Sequence, residues 1–86
     1  MSQISRHQIV CAEAVNLLRQ ERERRKLSRY AVAKLSGVSQ SMLSLVERGL
    51  RNPTLELLLK IADGIGTDFA VILKMAQKSA PRSKKK

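Results

Sequence analysis

The segment that most constrains the fold covers residues 28–48 and reads SRYAVAKLSGVSQSMLSLVER, two short amphipathic stretches around a central Gly-Val-Ser. Gly37 can adopt the left-handed backbone conformation that ends a helix without steric cost. Serine side chains accept hydrogen bonds from the free amides of a helix's first turn, so Ser28 and Ser39 are suited to begin helices. The segment therefore predicts a helix-turn-helix, with one helix directly after Ser28 and a second over residues 40–48.

Three further helices are predicted from apolar residues that recur every three to four positions and from capping residues at the helix starts. They cover residues 9–26, the stretch between Thr54 and the terminating pair Gly64 and Gly66, and, after the cap Thr67, residues 68–78. A chain of 86 residues has room for one hydrophobic core, and only 2% of its residues are aromatic. We therefore expect one all-α, five-helix domain at residues 9–78, a flexible arm at 1–8 and a disordered basic tail at 79–86.

The charge of the chain is strongly positive, because 17 Lys and Arg stand against seven Asp and Glu, a formal net charge of +10. Polyanions are the natural partners of such a chain, and both nucleic acid and an anionic membrane surface fit. No apolar run approaches the roughly 20 residues of a membrane span, and the N-terminus lacks a secretory pattern. Cys11 is the only cysteine, which suits a reducing compartment. A cytoplasmic location is expected.

The second helix of the motif divides into two faces when its residues are placed at 100° intervals. Leu43 and Val46 lie on the apolar side, whereas Gln40, Ser41 and Ser44 lie on the other. In a helix-turn-helix this second helix directs its N-terminal end to base edges in the major groove. A glutamine amide matches adenine N6 and N7, and serines contact bases or phosphates. The alternative is that these are ordinary surface residues, but their grouping on one face favours a reading role.

Catalysis, metal binding and cofactor binding are not expected from this composition. The chain has one histidine and one cysteine, and His7 falls in the predicted arm. No Cys and His spacing suggests zinc, and no glycine-rich loop suggests a phosphate-binding cradle. Cys11 is expected on the apolar side of the first helix, at least partly buried.

The stretch LSRYAVAKLSGVSQSMLSLVERGLRNPTLELLLKIADGIG resembles the Cro/repressor type of helix-turn-helix domain, the xenobiotic-response-element-like family. The resemblance covers residues 9–77 and is carried by the pattern S-x-x-x-V-A-x-x-S-G-V-S-Q-S-x-L-S-x-V-E-R-G followed by P-T-L. It implies a lambda-repressor-like five-helix fold and a small, sequence-specific double-stranded DNA-binding regulator of transcription, with repression as the expected effect.

The resemblance also implies roles for individual residues. Base contacts are expected from Gln40, Ser41, Ser44 and Leu45, phosphate contacts from Arg29, Ser39, Arg48 and Arg51, and a structural ion pair between Arg22 and Glu47. Two of these positions depart from the family. Arg29 stands where the family usually has glutamine, and Leu45 stands where polar residues are common. Leu45 either contacts a thymine methyl or has no role.

The predicted fifth helix carries an apolar strip that includes Val71 and Met75, beyond what a small core requires. The family commonly dimerises through its C-terminal helices, which implies a homodimer on a palindromic operator. The strip otherwise borders the core of a monomer. An antitoxin that binds DNA and a toxin protein remains the alternative function. A membrane-surface binder that uses the last helix and basic tail is the least favoured hypothesis, and no membrane partner is expected.

Overall fold

The computed structural model describes residues 5–80, and within that range five helices joined by short turns and loops are present, without strands. The five helices are α1 (Arg6–Arg24), α2 (Arg29–Ser36), α3 (Gln40–Glu47), α4 (Leu55–Ile65) and α5 (Phe69–Ser79). Helix α2 packs chiefly on α4, and α1 lies along α5. The predicted all-α, five-helix architecture is therefore confirmed. No helix in this part of the chain is both long and apolar enough to cross a membrane.

The core is built from aliphatic side chains that all five helices contribute, together with one aromatic ring, Phe69. Its most deeply buried large side chains are Val32 of α2 and Leu43 of α3. Val38, in the turn between these helices, is also buried. The two helices of the motif are thus fastened to the bundle from both sides of the turn.

Both predicted domain ends need correction. Helix α1 begins at Arg6 instead of Ile9, because the Ser5 hydroxyl caps the amide of Gln8 while the Gln8 side chain accepts from the Ser5 amide. The predicted arm at residues 1–8 is therefore wrong from Ser5 onward, and residues 1–4 lie outside the described part. The capping box was missed because the apolar periodicity starts only at Ile9.

At the other end, α5 extends to Ser79, and Ala80 is buried in the core. The predicted tail at 79–86 is therefore wrong for its first two residues, because Ala80 packs as a core residue; residues 81–86 lie outside the described range. The Arg6 guanidinium donates to the carbonyl of Gln77 at 3.0 Å. This bond joins the start of α1 to the last turn of α5.

The junction between α1 and α2 is sharper than predicted. Helix α1 ends at Arg24, and Lys26 follows with a positive φ of 59°. The amide of Leu27 donates to the carbonyl of Arg22 at 3.0 Å, and this hydrogen bond caps the C-terminal end of the helix. Arg25 donates to the carbonyls of Ile65 and Gly66, at 3.0 and 2.9 Å, and so satisfies the C-terminal end of α4.

Gly64 does not end α4, as the sequence had suggested, but lies buried inside it. A β-carbon at Gly64 would come within 2.7 Å of Ser36 Cβ and 3.0 Å of the Val32 carbonyl oxygen. The glycine therefore permits α4 to approach α2 closely. Gly66, with φ 91°, ends the helix alone. Helix α5 is capped by Asp68 and not by Thr67.

Candidate nucleic-acid interface

The turn of the helix-turn-helix is short and closed by local hydrogen bonds. Gly37 ends α2 in the left-handed conformation, with φ 79°. Two residues later, the Ser39 hydroxyl accepts from the amide of Met42 at 3.0 Å and begins α3. Ser28 caps α2 in the same way, through the amide of Ala31. The motif predicted from these residues is therefore present.

Helix α3 has one buried and one accessible side. Leu43 is 0% exposed. On the other side Gln40 and Ser41 are exposed, and Ser44 and Leu45 are half-buried. The side chains of Gln40, Ser41 and Ser44 make no hydrogen bond to any other residue between 5 and 80. Their donors and acceptors are therefore available to an external partner.

Three of the four expected phosphate contacts lie at the ends of the two motif helices, and the fourth lies in the loop after α3. Arg29 is the first residue of α2, Ser39 caps α3, Arg48 follows α3 directly, and Arg51 lies in the next loop. Arg48 and Arg51 are exposed and have no ion-pair partner in the described part of the chain.

A cleft between α1 and the loop after α3 is lined in part by Arg48, Arg51 and His7. Cys11 also borders this cleft and is exposed, so its expected partial burial is wrong. The apolar periodicity of α1 could not show that this turn of the helix faces solvent.

A buried ion-pair network joins α1, α2 and α3 at Glu47, the last residue of α3. Arg22 donates from Nε to Glu47 Oε2 at 2.7 Å and from Nη2 to Oε1 at 2.9 Å. Its Nη1 donates to the carbonyl of Leu27 at 2.8 Å. The Glu47 side chain is only 4% exposed, and that of Arg22 is 9% exposed. The pair that the resemblance implied is thus a bidentate, desolvated contact.

Arg29 is a third member of this network, and the sequence reasoning missed it. Its Nε donates to Glu47 Oε1 at 2.8 Å. Only the substitution of arginine for the family's usual glutamine could have signalled the contact, because a guanidinium reaches farther and carries a charge. Glu47 is thus shared by two arginines, and Arg22 also lies 3.7 Å from the exposed carboxylate of Glu23.

The network sets the ionisation of Glu47. Burial raises the pKa of its carboxyl group, but the hydrogen bonds and charges of Arg22 and Arg29 outweigh burial, and the pKa is lowered overall. On the surface of α1, hydrogen bonds from Arg24 and Arg25 lower the pKa of Glu21 from 4.5 to about 2. Two carboxylates are thus stabilised in their charged forms.

We expect the protein to lose stability in acid for this reason. The folded-state pKa values lie below the unfolded value near 4.5, so the stabilisation is complete above that pH and declines as the pH falls toward the folded values. Urea denaturation between pH 7 and pH 2 measures the loss. Glu21→Gln removes one contribution and should still lose stability below pH 4.5 through Glu47. If the stability of Glu21→Gln did not change between pH 7 and pH 2, Glu47 would not contribute to the loss of stability in acid.

Comparison with known proteins places this geometry in a family. The helix-turn-helix family matches residues 18–72, from the second half of α1 into α5. The chain is 36% identical over 64 residues to the HTH-type transcriptional regulator SutR of Escherichia coli, an alignment covering 74% of this chain and 36% of that protein. The chain thus spans about a third of that relative's length. No solved structure matches the chain. The family match includes the whole α2-turn-α3 motif, and the chain belongs to the helix-turn-helix family.

Proposed function

We propose that this chain is a non-enzymatic, sequence-specific double-stranded DNA-binding regulator of transcription, acting in the cytoplasm as a repressor. The observation that carries the proposal is the accessible side of α3. Its hydrogen-bonding groups at Gln40, Ser41 and Ser44 are uncommitted, while the opposite side of the helix is anchored in the core. A helix fixed in this way can enter the major groove without losing its own packing. The relative SutR is named a transcriptional regulator, which agrees with this function.

The proposed interface separates reading from positioning. Gln40, Ser41 and Ser44 would contact base edges, and Leu45 would contact a thymine methyl. Phosphates would be contacted by three residues at the ends of the motif helices and one in the loop after α3, namely Arg29, Ser39, Arg48 and Arg51. Phosphate contacts supply much of the affinity and its salt dependence, whereas base contacts supply the sequence preference. The net charge of +10 favours approach to DNA.

We also infer a homodimer. Val71 and Met75 lie one turn apart on α5 and are 53% and 47% exposed, an apolar strip that the core leaves uncovered. Pairing two copies through this strip would place two α3 helices against successive major grooves, about 34 Å apart on a palindromic operator. Neither residues 5–80 nor the comparisons favour the toxin-binding alternative over DNA-binding regulation.

Selection of binding sites from random DNA tests the function and its symmetry together. We expect a palindromic site for the wild-type protein. Gln40→Ala should weaken binding to that site and relax the preference at one base position of each half-site by about 1–3 kcal/mol, because a bidentate base contact is lost.

Gln20→Ala is the matched control, because Gln20 is an exposed helical glutamine on α1. It should leave the base preferences unchanged. Failure of the wild-type protein to select any site would contradict the function. Unchanged preferences in Gln40→Ala would contradict the reading role of Gln40 alone.

A further inference from the structure

The Glu47 carboxylate is shared by two guanidinium groups. It is paired with Arg22 at two atoms and with Arg29 at one, and Arg22 also has a second carboxylate partner, Glu23, at 3.7 Å. Arg22 also donates to the carbonyl of Leu27, so each of its three guanidinium nitrogens is hydrogen-bonded. Arg29 has only this shared carboxylate as an ion-pair partner in the described part of the chain, and its side chain is 37% exposed, so its charge is accessible to an external anion.

Arg29 uses only one of its three nitrogens in this contact. Its Nε is bonded to Glu47, whereas Nη1 and Nη2 have no partner among residues 5–80. The side chain is anchored but its two terminal nitrogens remain available. Arg29 is also the first residue of α2, whose first backbone amides have no acceptor within the helix, although the Ser28 hydroxyl accepts from that of Ala31. Charged guanidinium donors at the N-terminal end of a helix suit a phosphate group.

The bond to Glu47 lowers the conformational entropy that the Arg29 side chain would lose on binding DNA. Arg48 and Arg51 have no partner in the described part of the chain, so each must lose side-chain freedom when it contacts DNA. Arg29 has already lost much of that freedom through its bond to Glu47. A preorganised contact binds more tightly than a mobile one that offers the same atoms.

We propose that Glu47 is a positioning residue that holds Arg29 by Nε so that Nη1 and Nη2 clamp a phosphate of the DNA backbone. The inference rests on the proposed function and deepens it. The phosphate would give Arg29 an anionic partner that it does not share with Arg22. Because Glu47 is the last residue of α3, the contact ties the phosphate position to the helix that reads the bases.

Arg29→Lys distinguishes a clamp made by two guanidinium donors from a contact that depends only on positive charge. A lysine ammonium retains the positive charge but cannot bond Glu47 and also present a planar pair of donors to phosphate. We expect binding to the selected site about tenfold weaker at each salt concentration, as for loss of one charge-assisted hydrogen bond. The slope of log affinity against log salt should stay as in the wild type. Arg29→Ala should reduce that slope by about 0.9.

Arg24→Lys is the matched control, because Arg24 pairs with Glu21 on α1 and makes no hydrogen bond or ion pair to α3 in the described residues. Its affinity should stay within about twofold of the wild type. Equal binding by Arg29→Lys and wild type would overturn the clamp while the DNA-binding function stands. Tighter binding by Arg29→Lys would also overturn it, since Glu47 would then compete with the phosphate. Absence of DNA binding by the wild-type protein would remove the function itself.

Two further measurements address Glu47 directly. In the DNA-free protein, the Arg29 Nε proton should exchange with water more slowly than those of Arg48 and Arg51 in NMR spectra. Equally rapid exchange would overturn the positioning role. The double variant should lose less affinity for DNA than the product of the fold-losses of Glu47→Gln and Arg29→Lys, because each substitution removes the same bond between Glu47 and Arg29. A double-variant loss equal to that product would show that Glu47 acts only on the fold. If Glu47→Gln does not fold, Arg29→Lys alone still tests the clamp.

Discussion

Arg22→Met is expected to lower the free energy of unfolding by about 3 kcal/mol, the lower end of the range for breaking a buried ion pair. The Glu47 carboxylate, only 4% exposed, would keep one hydrogen bond from Arg29 and lose two from Arg22. The Leu27 carbonyl would lose its donor as well. Methionine approximates the length of the arginine stem but supplies no donor. Urea denaturation followed by circular dichroism at pH 7 measures the change.

Arg19→Met is the matched control on the same helix. Arg19 pairs with Glu23 one turn away, at 3.3 Å, and both side chains are substantially exposed. Exposed pairs of this kind contribute only about 0.3–0.5 kcal/mol. If Arg22→Met lost no more stability than Arg19→Met, the Arg22 and Glu47 contact would not be the junction of the motif with α1.

Gly64→Val is expected to lower the free energy of unfolding by about 3 kcal/mol, because the site has no room for a side chain. Even a β-carbon would lie 2.7 Å from Ser36 Cβ, 3.0 Å from the Val32 carbonyl oxygen and 3.1 Å from the Ser36 amide nitrogen. Two of these atoms are backbone, so α2 would have to move away from α4. Thermal unfolding should show a midpoint more than about 10 °C lower.

The control for Gly64→Val is Asp63→Val, at the neighbouring exposed position of α4. It introduces the same β-branched residue into the same helix, where the change should stay near 0.5 kcal/mol. Ser36→Gly, which removes the nearest atom, should recover part of the loss in Gly64→Val. Equal stability of the two valine variants would contradict a close approach of α2 and α4.

Local signals in the sequence were enough to predict the motif. Ser28, Gly37 and Ser39 act within one turn of where they stand, through caps and a left-handed stop, so their effects do not depend on distant residues. The same holds for the pattern of Leu43 and Val46, which are buried as predicted. The fold class followed from these elements and the periodicity of the other helices.

Features that depend on two distant segments were misread or missed. A glycine near a helix end looks the same whether it stops the helix or admits a neighbouring one, and only the position of Ser36 shows that Gly64 does the second. Likewise, the family resemblance implied the pair of Arg22 with Glu47, but the approach of Arg29 to the same carboxylate depends on how α2 meets α3. The proposed base contacts remain predictions for which the exposed side of α3 provides the geometry.

The separation of roles along α3 also bears on how such a protein can diverge. The side chains of Gln40, Ser41 and Ser44 hold nothing together in residues 5–80, whereas Glu47 at the other end binds three helices into one unit. We therefore expect substitutions at the first three positions to accumulate without loss of folding, and under the proposed function a duplicated gene would acquire a new operator through them. Glu47 has no such latitude. In the proposed function, α3 would thus combine a variable DNA-reading side with an invariable attachment to the bundle.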